Sequence, residues 1–119
     1  MPQNEPFDRE IKRGTLELLL LRLVRERRSY GYELASELHE RSGGWIDLKE
    51  GTLYPVLYRL EDQALIAADW DPPTRGVPRK YYKITAKGRK RLEELTESWR
   101  AWVRTVNEVL DSSSEGGGK

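Results

Sequence analysis

Cysteine is absent from the 119 residues of this chain, and histidine occurs only once, at position 39. Without cysteine the chain has no disulfide framework, no thiolate metal site and no thiol redox sensor. The sequence also has no phosphate-cradling glycine loop and no plausible group of metal ligands. His39 stands close to Glu37 and Glu40 and is expected to be solvated. We therefore predict neither an enzymatic activity nor a cofactor.

Long hydrophobic runs are also missing. The leucine run at 18–21 is far shorter than the ~18 residues that a membrane span needs, and the polar residues 1–13 do not resemble a signal peptide. Hydrophobic residues make up 37 % of the chain and charged residues 34 %. This balance is typical of one highly charged domain with a modest core, which is often shared with a second copy. We expect a cytoplasmic protein with no membrane partner.

Positive charge is concentrated in one segment, although the net charge is only +1. Between Pro72 and Leu92 there are eight basic residues and no acidic residue. Solvated lysines and arginines are the simple explanation of a charged segment. A segment so free of acidic residues, spanning a predicted hairpin, favours a surface that binds a polyanion.

The hydrophobic pattern predicts a mainly α-helical (α+β) fold with a small β-hairpin. The elements are expected in the order helix, helix, helix, strand, strand, helix, without an internal repeat. Ser29 and Thr85 are the predicted N-caps of the second and last helices. The predicted helices span 15–27, 30–41, 49–63 and 86–110, and the predicted strands lie near 66–70 and 80–84.

We divide the chain into four parts on this basis. A winged helix-turn-helix DNA-binding domain is followed by one long helix for dimerisation. The end of the chain is rich in serine and glycine, which predicts disorder. The predicted parts are an N-terminal arm (1–13), the winged helix-turn-helix domain (14–84), the dimerisation helix (85–110) and the disordered tail (111–119).

The third predicted helix separates apolar and polar side chains onto two faces. With Leu53 at zero and steps of about 100° per residue, Leu57, Leu60, Val56 and Ala64 form one inward stripe. The opposite face is polar, and an α-helix with such a face fits the major groove of DNA. Ordinary packing is the alternative for its tyrosines. The predicted groove-facing residues are Thr52, Pro55, Tyr58 and Arg59, and Lys49 and Tyr54 are placed for phosphates.

The hairpin that follows is the predicted wing. Arg75, Arg79 and Lys80 are expected to meet the flanking phosphates or the minor groove. The alternative is a solvated loop that contacts nothing. Tyr81 and Tyr82 are expected to pack within the strand.

Two apolar patterns, one on the first helix and one on the last, predict a partner subunit. Leu18 and Leu21 project from the side of the first helix opposite to its main leucine stripe. The last helix, at about 25 residues or ~37 Å, is longer than a helix that only covers the core of its own small domain. It carries a seam with alternating steps of three and four, which favours pairing with another subunit over packing on its own core. The seam consists of Leu92, Leu95, Trp99, Trp102, Val106 and Val109.

Trp99 and Trp102 in this seam have two interpretations. Aromatic residues in a seam usually form the core of the interface. Two indoles about one turn apart are bulky, however, and could hold the helices apart around an apolar ligand cavity.

The chain also contains the motifs YGYEL at 30–34, GTLYP at 51–55, RLE at 59–61, LI at 65–66 and RKYYKIT at 79–85, followed by Gly88. Together these motifs resemble the signature of the PadR-type transcriptional regulators, and the resemblance extends over roughly 14–110. Ala64 departs from the pattern, because the family often has glycine there. The single long C-terminal helix is similar to the short branch of that family.

The resemblance implies a homodimer in which the last helix of one subunit packs against the first helix of the other. Trp99 resembles the tryptophan with which a multidrug-binding repressor of this branch stacks flat aromatic drugs at the dimer centre, although Trp102 could fill that pore instead. The expected function is a repressor that binds double-stranded DNA at an inverted-repeat operator and responds to a planar aromatic molecule. The alternatives are a winged helix used for protein–protein contact and an aromatic-ligand-binding protein without direct DNA regulation.

Overall fold

The computed structural model describes residues 6–71 and 76–113, with side chains from Thr15 onward. Within these ranges, four helices and a small antiparallel sheet form a mainly α-helical (α+β) fold, which confirms the predicted class. The helices described here are not long and apolar enough to cross a membrane. The elements are α1 (Pro6–Glu26), β1 (Ser29–Tyr30), α2 (Gly31–Arg41), α3 (Glu50–Asp62), β2 (Ile66–Asp71), β3 (Arg79–Ile84) and α4 (Ala86–Asp111).

The three strands form an antiparallel sheet in the order β1-β3-β2. The register pairs Ile66 with Ile84 and Asp71 with Arg79, so β2 and β3 form the predicted hairpin. Because side chains alternate between the faces of a strand, the sheet has two chemically different sides. The inner face carries Tyr82, which is buried as predicted, and the outer face carries charged and aromatic residues.

The small strand β1 replaces a predicted helix cap. Ser29 pairs with Tyr82 in the sheet, and its hydroxyl donates to the Arg27 carbonyl at 3.1 Å. The N-cap of α2 is instead Tyr30, whose N–H donates to the Glu33 carboxylate at 3.2 Å. The prediction of Ser29 as the cap was wrong, because a strand of two residues is too short to produce a hydrophobic period.

The other helix ends follow local chemistry. Helix α1 begins at Pro6 and not at Thr15 as predicted; proline suits a first helical turn because its missing N–H is not needed there. Gly43 and Gly44 end α2 with φ values of 64° and 88°, which glycine adopts without strain. The predicted cap of α4 is confirmed, because Thr85 Oγ1 accepts the Gly88 N–H at 2.9 Å.

The core surrounds α1, which contacts α2, α3, β3 and α4 of its own chain. Leu21 is completely buried and Leu92 is 2 % exposed, so both belong to the core of the single chain and offer no surface to a partner. This corrects the prediction that they contact a second subunit. Leu19 of the same helix is only partly buried. A helix covered on several sides does not divide into one buried and one exposed face.

The turn between α3 and β2 supports the start of α4. Gly88 lies so close to this turn that a Cβ atom there would collide with the Leu65 carbonyl oxygen. Ala64, in the turn, is exposed and has a φ of 63°, so the prediction that it lies in the inward stripe of α3 was wrong. The helix ends at Asp62, before the stripe reaches Ala64.

Candidate nucleic-acid interface

The polar face of α3 is open to solvent. Four apolar side chains of this helix are buried in the core. Because they recur at steps of three and four, the opposite side of the helix faces outward. The buried residues are Leu53, Val56, Leu57 and Leu60, and the exposed residues include Thr52, Pro55, Tyr58 and Arg59.

Tyr54 lies at the border between the two faces and joins α3 to α2. Its ring covers Gly31, where an added Cβ would lie 2.8 Å from the Tyr54 Cζ atom. The rings of Tyr54 and Tyr58 are 6.1 Å apart at their centroids. Partial burial, followed by the charge of Glu50, raises the pKa of Tyr54, so its hydroxyl stays protonated. Tyr54 is therefore a packing residue with an edge toward the surface.

The two basic residues predicted on α3 both have acidic neighbours. Lys49, the N-cap residue, lies 3.1 Å from the Asp47 carboxylate at a well-exposed position. Arg59 donates from Nε to the Glu17 carboxylate at 2.8 Å, which ties α3 to α1. Exposed ion pairs contribute only about 0–1 kcal/mol. A DNA phosphate could therefore replace the Asp47 carboxylate at Lys49 at little cost, whereas the Arg59 pair also holds α3 on α1.

Lys80 of the wing is turned toward α3. Its ammonium lies 3.2 Å from the Glu61 carboxylate and 5.3 Å from the centre of the Tyr58 ring. Burial lowers the pKa of Lys80, but the hydrogen bond to Glu61 and the nearby Tyr82 outweigh this effect and raise it overall. Lys80 is thus a cation already paired within the chain, which is not the free wing contact that the sequence suggested.

Among the described residues of β2 and β3, Arg79 is the exposed basic residue that lies nearest to the tip of the hairpin. Its guanidinium lies 4.6 Å from the centre of the Tyr30 ring. Arg75, the third predicted wing contact, lies outside the described residues.

Arg28 also belongs to this region, although its sequence context did not predict a role for it. It donates to Asp69 at 3.1 Å from Nε and 2.7 Å from Nη2, and to Asp71 at 2.7 Å. It also lies 4.0 Å above the centre of the Tyr81 ring. The carboxylate of Asp69, followed by that of Asp71, raises the pKa of Arg28. These partners are 41 and 43 residues away along the chain, so no local pattern indicates them.

Trp70 of the hairpin is more exposed than its place in the strand pattern predicts. It pairs with Lys80 in the hairpin and lies on the inner face, yet it is 62 % exposed. Strand alternation alone predicts a buried position for it. The hairpin extends past the core at this point, which only the three-dimensional fold determines.

An open groove of about 250 Å³ lies between α1 and α4, away from the hairpin. Trp99 is 40 % exposed and Trp102 is 62 % exposed on its walls. Val106 is partly buried, and Val109 further along α4 is exposed. Within the described ranges no three acidic or histidine side chains are grouped to hold a metal ion. The groove is also lined by Glu17, Leu18, Leu95 and Ser98.

Comparison with known proteins gives these surfaces a family context. Residues 20–94 match the model of the Transcriptional regulator PadR-like family. The chain is 39 % identical over 107 residues to an uncharacterised protein of Lysinibacillus sphaericus, which covers 90 % of this chain and 94 % of that protein. It is 34 % identical over 110 residues to the transcriptional regulator Rv3488 of Mycobacterium tuberculosis, with 92 % and 96 % covered.

A solved structure agrees with this assignment. The PadR family transcriptional regulator from Eggerthella lenta has a TM-score of 0.79 and 38 % sequence identity, with 87 % of this chain and 88 % of that chain covered. The family consists of winged-helix DNA-binding regulators and not of enzymes, which confirms both predictions. This chain belongs to the PadR-like family of transcriptional regulators.

Proposed function

We propose that this regulator is a homodimeric repressor that binds an inverted-repeat operator and releases it when a planar aromatic ligand enters the groove between α1 and α4. The observation that carries the proposal is the exposed polar face of α3 beside the hairpin. A helix of this kind reads base edges from the major groove, and a wing contacts the adjoining backbone. Such a protein acts in the same compartment as the DNA, the cytoplasm.

The second half of α4 supports the dimer. Trp102, Val109 and Leu110 are all more than half exposed in the single chain, at 62 %, 70 % and 73 %. Burial of a large apolar side chain contributes roughly 1.5–3 kcal/mol, so a partner helix along this surface would be stabilised. A two-fold dimer presents two copies of α3 in opposite directions, which requires an inverted repeat with half-sites about 34 Å apart.

The ion pair between Glu17 and Arg59 supports a link from the groove to the DNA surface. Glu17 lines the groove beside Trp99, and its carboxylate accepts the Arg59 N–H at 2.8 Å. A cationic ligand in the groove would compete for this carboxylate. Loss of this bond would untie α3 from α1, and a ligand that favours the untied arrangement would shift the population toward a dimer whose two α3 helices no longer match the operator spacing. We therefore expect the ligand to be both planar and cationic.

The operator can be found by selection from a randomised duplex library with the purified protein. The enriched sequences should contain two inverted half-sites with centres about one helical turn apart. Thr52→Ala on α3 should weaken binding to the selected site by about 1–3 kcal/mol if Thr52 contacts a base. Thr105→Ala on α4 is the matched control and should leave binding unchanged. If no sequence is enriched, the operator proposal is wrong, and a winged helix for protein–protein contact becomes the better explanation.

Dimerisation can be measured by sedimentation of the wild type and of Val109→Lys. The charged side chain should shift the population toward monomer, because Val109, which is 70 % exposed in the single chain, would be buried in the proposed dimer. Asn107→Lys adds the same charge at an exposed position off the seam and is the control. Equal sedimentation of the three proteins as monomers would refute the dimer.

Ligand binding can be separated from regulation with a panel of planar aromatic compounds, each in a cationic and a neutral form. A ligand of the groove should quench tryptophan fluorescence in the wild type and release selected DNA, but do neither in Trp99→Ala. Quenching without DNA release would favour the aromatic-ligand-binding protein without direct regulation. Glu17→Gln should abolish the preference for the cationic form.

A further inference from the structure

The wing carries less free positive charge than its sequence suggests, and it also neutralises a nearby arginine. The segment from Pro72 to Leu92 has eight basic residues and no acidic one. In the fold, three carboxylates that precede this segment in the chain lie at the hairpin, one from α3 and two from β2 itself. Glu61 of α3 pairs with Lys80, and Asp69 and Asp71 of β2 bind Arg28.

The two aspartates lie on the outer face of the hairpin, next to its tip. Asp69 pairs with Tyr81 and Asp71 with Arg79 in the antiparallel register, so all four side chains are on the same face. Asp71 is the last residue of β2, and its partner Arg79 is the first residue of β3. A phosphate bound by Arg79 would therefore lie within about one Debye length (~10 Å at 0.1 M salt) of both carboxylates.

Arg28 is held in place by this acidic pair. Its guanidinium has three hydrogen bonds to the two carboxylates and stacks on Tyr81. Tyr81 in turn contacts the Tyr30 ring edge-on, with 5.2 Å between ring centres. The side chain of Arg28 is still 38 % exposed. It is thus a surface cation that is neutralised by the wing instead of being directed to a phosphate.

We infer that Asp69 and Asp71 are specificity-determining residues, which limit the sequence-independent attraction of the wing to DNA phosphates. Non-specific affinity grows with the number of phosphates that a protein neutralises, and each one adds about 0.9 to the salt slope. The acidic pair removes Arg28 from that number and repels phosphates near Arg79. Discrimination then depends on α3, whose contacts differ between sequences. This inference rests on the DNA-binding role of the hairpin proposed above.

The test is the double variant Asp69→Asn with Asp71→Asn, measured on a random-sequence duplex and on the duplex selected by the wild type. Loss of the two negative charges frees Arg28 and should tighten binding to random DNA roughly five- to tenfold at 0.1 M salt, with a salt slope steeper by about 1. Binding to the selected duplex should tighten less. The ratio of the two affinities should therefore fall.

The matched control is Glu108→Gln with Asp111→Asn at the end of α4, which changes the net charge by the same amount at exposed positions. It should leave both affinities nearly unchanged. A thermal unfolding midpoint close to that of the wild type shows that the wing variant is folded, because its lost ion pairs are exposed.

The possible outcomes separate this inference from the proposed function. If the wing variant binds random DNA more weakly than the wild type, the carboxylates serve to hold the shape of the hairpin, and the inference is overturned. An equal tightening in the control variant would also overturn it, because net charge alone would then explain the effect. If the wild type binds neither duplex, both the inference and the proposed function are wrong.

Discussion

Ala64 occupies a backbone conformation that suits glycine. It follows the C-cap of α3 with a φ of 63°. The Leu65 N–H donates to the Leu60 carbonyl at 3.0 Å and the Ala64 N–H donates to the Glu61 carbonyl at 2.9 Å. This pair of bonds is the Schellman motif, in which the residue after the C-cap is left-handed and is most often glycine. Ala64→Gly should therefore stabilise the protein.

The magnitude follows from two opposing effects. A left-handed conformation costs a residue with a Cβ roughly 1–2 kcal/mol. Glycine loses about 0.5–1 kcal/mol more conformational entropy on folding than alanine. The Ala64 methyl group is exposed, so its removal loses no buried surface. The net expectation is a stabilisation of about 1 kcal/mol, which corresponds to about 4–8 °C in Tm for a domain near 100 residues.

The measurement is thermal and urea unfolding, followed by circular dichroism at a fixed protein concentration, since a dimer unfolds at a concentration-dependent temperature. Ala101→Gly in the exposed interior of α4 is the control and should destabilise by about 1 kcal/mol. The same substitution would thus act with opposite sign at the two positions. Destabilisation at both positions would refute the argument from the Ala64 backbone.

Two further predictions concern stability. Gly88→Ala should destabilise the protein by about 1–3 kcal/mol, because the added Cβ would collide with the Leu65 carbonyl oxygen. Gly51→Ala on α3 is the control and should not destabilise it, because the space around Gly51 is open. Chemical unfolding of both variants measures the difference. The guanidinium of Arg41 holds the pKa of Glu26 at about 2, below its ordinary value of 4.5. Since the pKa is lower in the folded state, the ionised Glu26 carboxylate stabilises the folded protein above about pH 4.5, and this stabilisation is lost as the pH falls toward 2. The difference in the free energy of unfolding between the wild type and Glu26→Gln should therefore disappear over that pH range.

The prediction for Glu26→Gln rests on the contacts of the Glu26 carboxylate. Glu26 joins the ends of α1 and α2, because Arg41 donates to its carboxylate from Nη1 at 3.1 Å and Arg22 donates from Nε at 3.0 Å. Protonation removes the negative charge that both arginines contact. A deficit of Glu26→Gln that stays constant from neutral pH to pH 2 would mean that packing, and not charge, explains the effect.

Local patterns in the sequence were sufficient for the parts of the fold that depend on neighbouring residues. The partition of α3 into buried Leu53 and Leu57 and exposed Thr52 and Tyr58 follows from a period of 3.6 residues. The cap at Thr85 likewise depends on an atom only three residues away. The motifs shared with PadR-type regulators were equally visible in the sequence.

Three features depended on distant parts of the chain and could not be read from it. Leu21 is buried because α1 lies among four other elements, and the leucine pattern does not state what covers its second side. Arg59 and Lys80 were predicted to be free for DNA, but Glu17 and Glu61 reach them only after folding. Ion pairs across tens of residues have no periodicity, so they leave no local pattern.

The charge of the wing best illustrates the division between sequence and tertiary structure. The sequence by itself determined that a hairpin with basic residues follows a helix with a polar face. The tertiary structure decided how much of that charge is free, because the antiparallel register places Asp71 beside Arg79 and Glu61 of α3 pairs with Lys80. Electrostatic interactions act through space over roughly 10 Å and not along the chain. Only the fold could therefore determine which cations of the wing remain available to DNA.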